Sequence, residues 1–395
     1  MKDNKINILI IPSTIEGGVW YYRIFNWTKN LAARYKNDFN IVISNAVDFS
    51  DTNYLIDNKV DIVYYHNGVY TKDKNQELFW NYVKFCKENK IKTILDIDDY
   101  FIYGEYHVLN KYNIEYKIAE KILVNIYLSD YITTTTERYK NKLKSITNKD
   151  NVFVFRNCID KNSQFNSNKS KSDRLRFGLT GGWTHGYDSK QIESILRRLP
   201  DNYKDKFQLV LCGYNTSGPY WEEFENKLTS NKTLIKPEHK ELLINKLEDD
   251  FTDDIYRRIT SKKIYDNNNE TGEGDYGMVY NEFDLLLSPL LPSNFNNYKS
   301  ELKFIEAGFT NTGIIYTNTG PYRDVTNNIE ELKNLTFGVD FTKGVNGWVK
   351  TIKYCIDNKA EVLEKIDDFS KLIKEKYDLD DETDKRVKFF KEIVD

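Results

Sequence analysis

The chain has 395 residues, too many for one ordinary hydrophobic core and suited to two α/β domains of roughly 150–200 residues each. With 60 acidic and 57 basic residues the formal charge is −3, which excludes a global pull toward nucleic acid and leaves any DNA contact to a local basic groove. No stretch approaches a membrane span, the N-terminal MKDNKINILIIPS lacks a signal-peptide cleavage site, and Cys86, Cys158, Cys212 and Cys355 are scattered without a metal-binding pair, so the expectation is a cytoplasmic protein with reduced thiols and no integral membrane contact.

In chain order, short β-rich apolar runs occur at Ile6 to Ile11, Asn40 to Ser44, Asp61 to Tyr65, Thr93 to Ile97, Tyr131 to Thr134 and Val152 to Phe155. Charged, helix-like stretches such as Gln76 to Lys90 and Ile114 to Leu128 lie between them, the alternation of a parallel sheet covered by helices. They predict a Rossmann-like domain over residues 1–160. The polar, turn-rich stretch 161–175 reads as a linker. A second series at Phe177 to Leu179, Phe207 to Leu211, Asp284 to Ser288 and Gly313 to Thr317 predicts a second Rossmann-like domain over 176–375, with an insertion of unknown role at about 215–280. Residues 376–395 read as a helix that packs back on the N-terminal domain, its last turns being the amphipathic Val387 to Val394. The 29 Tyr and 22 Phe have two readings: filler favoured by AT-rich coding, or a surface on which sugars or bases stack.

Strand-to-helix turns at the carboxyl edge of such sheets present backbone N–H groups to phosphates. Two of them are built on glycine: Gly17-Gly18 after the first strand, and Gly181-Gly182 with His185 after the first strand of the second series. Glycine there lets a phosphate or sugar approach the backbone; the alternative is a tight turn with no ligand. The segment NYKSELKFIEAG, Asn297 to Gly308, follows the strand-like DLLLSPL. Lys299 at its mouth can neutralise a phosphate and Glu306 can accept hydrogen bonds from ribose hydroxyls; the alternative is an ordinary surface Lys and Glu.

Together these segments resemble glycosyltransferase family 4 and its relatives, with residue usage suited to a phage-encoded member. FGLTGGWTHGYD is similar to the family's "GYTGSxTHxxD" turn and KSELKFIEAG to its "KSxLKxxEAxA" signature, while GGVWYYR, LDIDD, TTTTERY and FRNCID follow in family order over the first half. The resemblance implies an α/β GT-B fold, two Rossmann-like domains facing across a cleft. It implies a retaining, metal-independent transferase whose co-substrate is a UDP- or GDP-linked sugar, with no resident cofactor. It places Gly17, Gly18, Gly181, Gly182, His185, Lys299, Glu306, Thr319, Gly320 and Tyr322 on the donor side. One position departs from the pattern: Tyr298 stands where many members carry a glutamate eight residues before the ribose-binding one.

Asp96-Ile97-Asp98-Asp99 has three readings: a metal-binding DxD, an acceptor-facing cluster in which Asp98 or Asp99 polarises the acceptor hydroxyl, or a cap for the next element. The acceptor reading is preferred because the donor signature lies in the other half. His66, just after the third strand, is a further catalytic candidate on the acceptor side. Arg23 is assigned to a donor phosphate or an anionic acceptor, against a surface salt bridge. Two acceptors compete, a glycan and a hydroxymethylated base in phage DNA, the second needing basic runs such as Tyr139 to Lys149 or Asn168 to Arg176. The competing function is an inactive nucleotide-sugar-binding module, with Tyr298 marking lost activity.

Overall fold

The computed structural model describes residues 5–15, 17–67, 74–105, 107, 109–162, 165, 169, 172–180, 186–204, 206–214, 251–252, 256–260 and 276–395. The chain forms two compact units. One comprises Met1–Asp160, Ser293–Ser300 and Tyr377–Asp395, and the other Lys161–Pro292 and Glu301–Lys376.

The N-terminal unit is built on six parallel strands, β1 (Ile6–Ile11), β2 (Phe39–Ile43), β3 (Ile62–His66), β4 (Lys92–Asp96), β5 (Tyr131–Thr134) and β6 (Val152–Val154). Their order is β2-β1-β3-β4-β5-β6. β3 is buried at all five positions, so its run IVYYH lacks a polar alternate; helices cover both faces of a parallel sheet. After β1 the chain turns into Gly17–Trp20, a π-helical stretch Tyr21–Phe25 and the helix Asn26–Arg34.

Two later segments complete this unit. The helix Leu379–Val394, N-capped by Asp378, lays Phe390 5.8 Å from Trp27 and 6.2 Å from Phe39, and Phe389 5.4 Å from Phe155. The short helix Asn294–Asn297, capped by Ser293, brings Phe295 into the core built by Leu9, Val63, Tyr65 and Leu95, against which Tyr298 packs 4.8 Å from Tyr100 and 6.1 Å from Tyr139. Much of the aromatic content is thus packing material.

The C-terminal unit carries β7 (Leu175–Thr180), β8 (Phe207–Tyr214), β9 (Phe251–Thr252), β10 (Tyr256–Thr260), β11 (Leu285–Ser288), β12 (Gly313–Thr317) and β13 (Phe337–Val339). The order is β13-β12-β11-β7-β8-β10-β9, parallel except for β9 against β10. Part of the expected insertion is therefore sheet, because β10 extends it beside β8. The expected linker also contributes to this unit. Phe165 is buried, and Lys169 Nζ donates to the carbonyls of Tyr280 (3.4 Å) and Phe283 (2.5 Å) and to Thr312 Oγ1 (2.8 Å). Burial pushes the Lys169 ammonium down to about 7. No helix among the described residues is long and apolar enough to cross a membrane.

The winding reverses between β1 and β3 in the first sheet and between β7 and β11 in the second. In open α/β sheets the carboxyl ends of the strands at such a reversal form the usual ligand site.

Candidate functional site

At the reversal of the N-terminal sheet, His66 ends β3 and is 3% exposed. Its Nε2 lies 3.0 Å from Asp98 Oδ1 and its Nδ1 2.7 Å from Ser13 Oγ. Asp98 follows the end of β4 and Ser13 follows β1, so three neighbouring strand ends supply one hydrogen-bonded chain. Burial alone would disfavour both charges. The Asp98 charge and hydrogen bond nonetheless raise His66 above its ordinary value, and His66 in turn holds Asp98 down at about 2. Asp99 is pushed up, by burial first and by the Asp98 charge, with Lys299 opposing.

The four acidic-run residues therefore divide. Asp96 is fully buried and takes Arg23 on both carboxylate oxygens, Nε to Oδ2 at 2.9 Å and Nη2 to Oδ1 at 2.6 Å, with Thr133 Oγ1 also donating at 2.6 Å. Arg23 Nη1 donates to the Phe155 carbonyl and to Asn157 Oδ1. The expected phosphate or acceptor contact of Arg23 is corrected by this geometry. Its guanidinium is 1% exposed and bound inside the unit, where leaving it unpaired would be costly. Asn157 Nδ2 in turn holds Ser300 Oγ at 3.0 Å.

Lys299 also lies elsewhere than expected. The helix starts at Leu302, and Lys299 belongs to the segment packed in the N-terminal unit, its Nζ 4.6 Å from the Phe295 ring and its charge acting on Asp99. Tyr298 is a half-buried ring packed against the core of that unit, which gives its aromatic side chain a packing role. Gly17 and Gly18 open the helix after β1, and a Cβ on Gly18 would meet only the Tyr22 ring at 3.9 Å. Packing does not require glycine at 18.

In the C-terminal unit, the turn after β7 with Gly181, Gly182 and His185 lies outside the described residues. After β11, Glu306 sits in the helix Leu302–Phe309, 1% exposed, accepting from Lys303 Nζ at 2.7 Å and from the Tyr280 hydroxyl on Oε2. After β12, Thr319 precedes the helix Gly320–Asn328, Gly320 holds φ +51°, and Tyr322 is buried with its hydroxyl 2.8 Å from Ser288 Oγ. Left-handed backbone at 320 favours glycine, which allows the chain to enter the helix directly from the strand end. Asp188 Oδ1 accepts from Leu291 N at 2.9 Å, tying the helix after β7 to the loop after β11.

The sequence reading missed Ser13, Lys303 and Tyr280. A hydroxyl two residues past the first strand at a sheet reversal was the available signal for Ser13. Lys303 was visible as the i−3 partner of Glu306. Tyr280 carried no local signal.

Two Rossmann-like α/β units, each with polar groups gathered at the carboxyl edge where its sheet reverses, are the GT-B architecture, and the fold comparisons agree. No family model matches the chain, and no curated protein matches its sequence. Among solved structures, an alpha-glucosyltransferase in complex with UDP is similar with a TM-score of 0.60 at 11% identity, over 98% of this chain and 100% of that one. An alpha-glucosyltransferase in complex with UDP and a 13-mer DNA gives 0.60 at 12% identity, over 98% and 99%. WaaG, a glycosyltransferase involved in lipopolysaccharide biosynthesis, gives 0.58 at 10% identity, over 98% and 99%. At such identities the likeness establishes the fold.

Proposed function

We propose that the protein is a glycosyltransferase that moves a sugar from a UDP- or GDP-linked donor to an acceptor hydroxyl, with retention and without a metal ion. The observation that carries this reading is a GT-B fold matched over 98% of the chain by glycosyltransferases solved with UDP. On it, the carboxyl edge of the C-terminal sheet serves the donor: the turn at Gly181 and Gly182 and the helix start at Gly320 receive the diphosphate, and Glu306 takes the ribose hydroxyls. The edge of the N-terminal sheet, with His66 and Asp98, serves the acceptor, and Gly18 leaves room for a substrate at the helix start. Asp99, raised from its ordinary value chiefly by burial, lies beside Asp98 in the chain.

A hydroxymethylated base in DNA is the acceptor we favour over a glycan, because an alpha-glucosyltransferase of this fold is solved with both UDP and DNA. The deciding experiment incubates the protein with a panel of UDP- and GDP-sugars, offering duplex DNA containing hydroxymethylcytosine in one arm and oligosaccharides in the other. Product masses and nucleoside diphosphate release are the readouts. A mass gain of one sugar on the DNA is expected and should persist in EDTA. Donor binding without turnover in any arm would instead identify an inactive nucleotide-sugar-binding module.

A further inference from the structure

Ser13 is an exposed hydroxyl hydrogen-bonded to a buried imidazole, and the roles given above to His66 and Asp98 do not use it. His66 spans Ser13 Oγ at 2.7 Å on Nδ1 and Asp98 Oδ1 at 3.0 Å on Nε2, and of the three only Ser13 is exposed. The orientation of protons follows from chemistry. An ionised carboxylate only accepts, so Nε2 carries a proton; in the neutral ring Nδ1 is then the acceptor and the Ser13 hydroxyl the donor. A hydroxyl donating to an imidazole whose other nitrogen is held by a carboxylate is the arrangement that activates a serine. Asp96 also faces this ring, but Arg23 occupies both of its oxygens, so Asp98 is the ring's own counter-charge.

We propose that Ser13 is a catalytic residue that meets the acceptor hydroxyl and relays its proton to His66; this rests on the glycosyl-transfer reading. As the acceptor oxygen forms its bond to the anomeric carbon, its proton passes to Ser13 Oγ and the Ser13 proton passes to His66 Nδ1. The anomeric C–O bond breaks on the same face of the sugar, so configuration is retained, its electron pair leaving with the nucleoside diphosphate, and the imidazolium rests against the Asp98 carboxylate. The relay runs on neutral His66, so turnover climbs as pH rises through the elevated value of that ring. The groups acting on it are Asp98, Asp96 and Arg23, with Asp99 adjoining both His66 and Asp98 and Lys299 acting on Asp99.

The test has two readouts on the full chain. A fluorophosphonate at pH 8 captures activated serines: Ser13 Oγ would displace fluoride, its proton going to His66, and peptide mass spectrometry would find the adduct on Ser13. Labelling should fall at least about tenfold in His66→Gln and in Asp98→Asn, the order of loss expected when a general base is removed. No adduct on Ser13, or equal labelling in His66→Gln, overturns the relay whether or not any sugar is transferred. With UDP-glucose and hydroxymethylcytosine DNA, Ser13→Ala should lower kcat by about 10²–10³-fold and abolish the ascending pH limb. Its donor KM should stay near that of wild type. Wild-type kcat with an intact limb in Ser13→Ala overturns the proposal. A wild type that transfers nothing counts against the glycosyltransferase reading alone, and the labelling result then decides the relay.

Discussion

A side chain's neighbours decide whether it is available for chemistry, and the N-terminal unit separates the two cases within a few residues. Arg23 and Asp96 satisfy each other at full burial, so Arg23→Ala strands a buried carboxylate and should destabilise the unit by about 3–5 kcal/mol in urea denaturation. His66 and Asp98 form a second pair, and its pH dependence follows from the directions of the two shifts. His66 is raised from its ordinary 6.5, so its contribution is complete below that value and is lost as pH climbs through the elevated one. Asp98 is lowered from 3.8 to about 2, so its contribution is complete above 3.8 and is lost as pH falls toward 2. The stability gap between wild type and Asp98→Asn should thus be widest between 3.8 and 6.5 and narrow on both sides, as read from melting temperatures across pH. Gly18 supplies the opposite case. Because a Cβ there meets nothing closer than 3.9 Å, Gly18→Ala should leave stability unchanged or raise it by up to about 1 kcal/mol, while weakening substrate binding in calorimetry; unchanged binding would remove Gly18 from the site.

The helix Leu302–Phe309 shows which features of an element the sequence reveals. Its spacing of Leu302, Ile305 and Phe309 predicts one apolar face, yet every residue from Phe304 to Phe309 is buried, because the helix lies between its sheet and the helix Lys359–Lys376. Gly308 is where the two helices meet: a Cβ would overlap the β-branched Ile373, and Ser370 Oγ donates to the Gly308 carbonyl at 2.6 Å. Gly308→Ala should therefore cost about 1–3 kcal/mol, seen as a lower melting temperature, so the glycine of the EAG run is a packing residue. Sequence reasoning expects Glu306→Ala to weaken the donor and spare the fold, but the carboxylate also satisfies Lys303 and Tyr280 inside the unit. Removing it takes that acceptor from both, so Glu306→Gln, which keeps shape and an acceptor, is the cleaner variant. The strands were legible because parallel strands buried on both faces read as continuous apolar runs; Tyr131–Thr134 and Gly313–Thr317 fall where the periodicity places them. Phe337–Val339, three residues with Gly338 at its centre, leaves no continuous apolar run. The pairings Ser13–His66–Asp98 and Arg23–Asp96 join residues 32 to 73 positions apart, and no local pattern encodes contacts made only when strands align.

At the scale of the whole chain, the N-terminal unit is discontinuous, and that governs how it can fold. Its sheet comes from Met1–Asp160, but part of its core arrives with Ser293–Ser300 and more with Tyr377–Asp395, after the chain has built the C-terminal unit. Composition boundaries could place a domain end near 160 and could not show the return at 293, since SNFNNYKS carries no signal that its Phe295 and Tyr298 belong to another core. The first unit's core is therefore complete only once Ser293–Ser300 and Tyr377–Asp395 have joined it. The contacts are aromatic and buried: Phe390 is fully buried among Trp27, Phe39 and Tyr64, and Arg386 lies 5.3 Å from the Trp27 ring. Truncating Phe390 to Ala should cost about 3–5 kcal/mol. A chain ending at Asp160 would expose that whole surface, so it should show a shallow, low-midpoint urea transition with ANS binding, and a peptide spanning Tyr377–Asp395 added in trans should steepen the transition and raise its midpoint. A cooperative transition of wild-type midpoint from the 1–160 fragment alone would show that the C-terminal helix is dispensable to the first core.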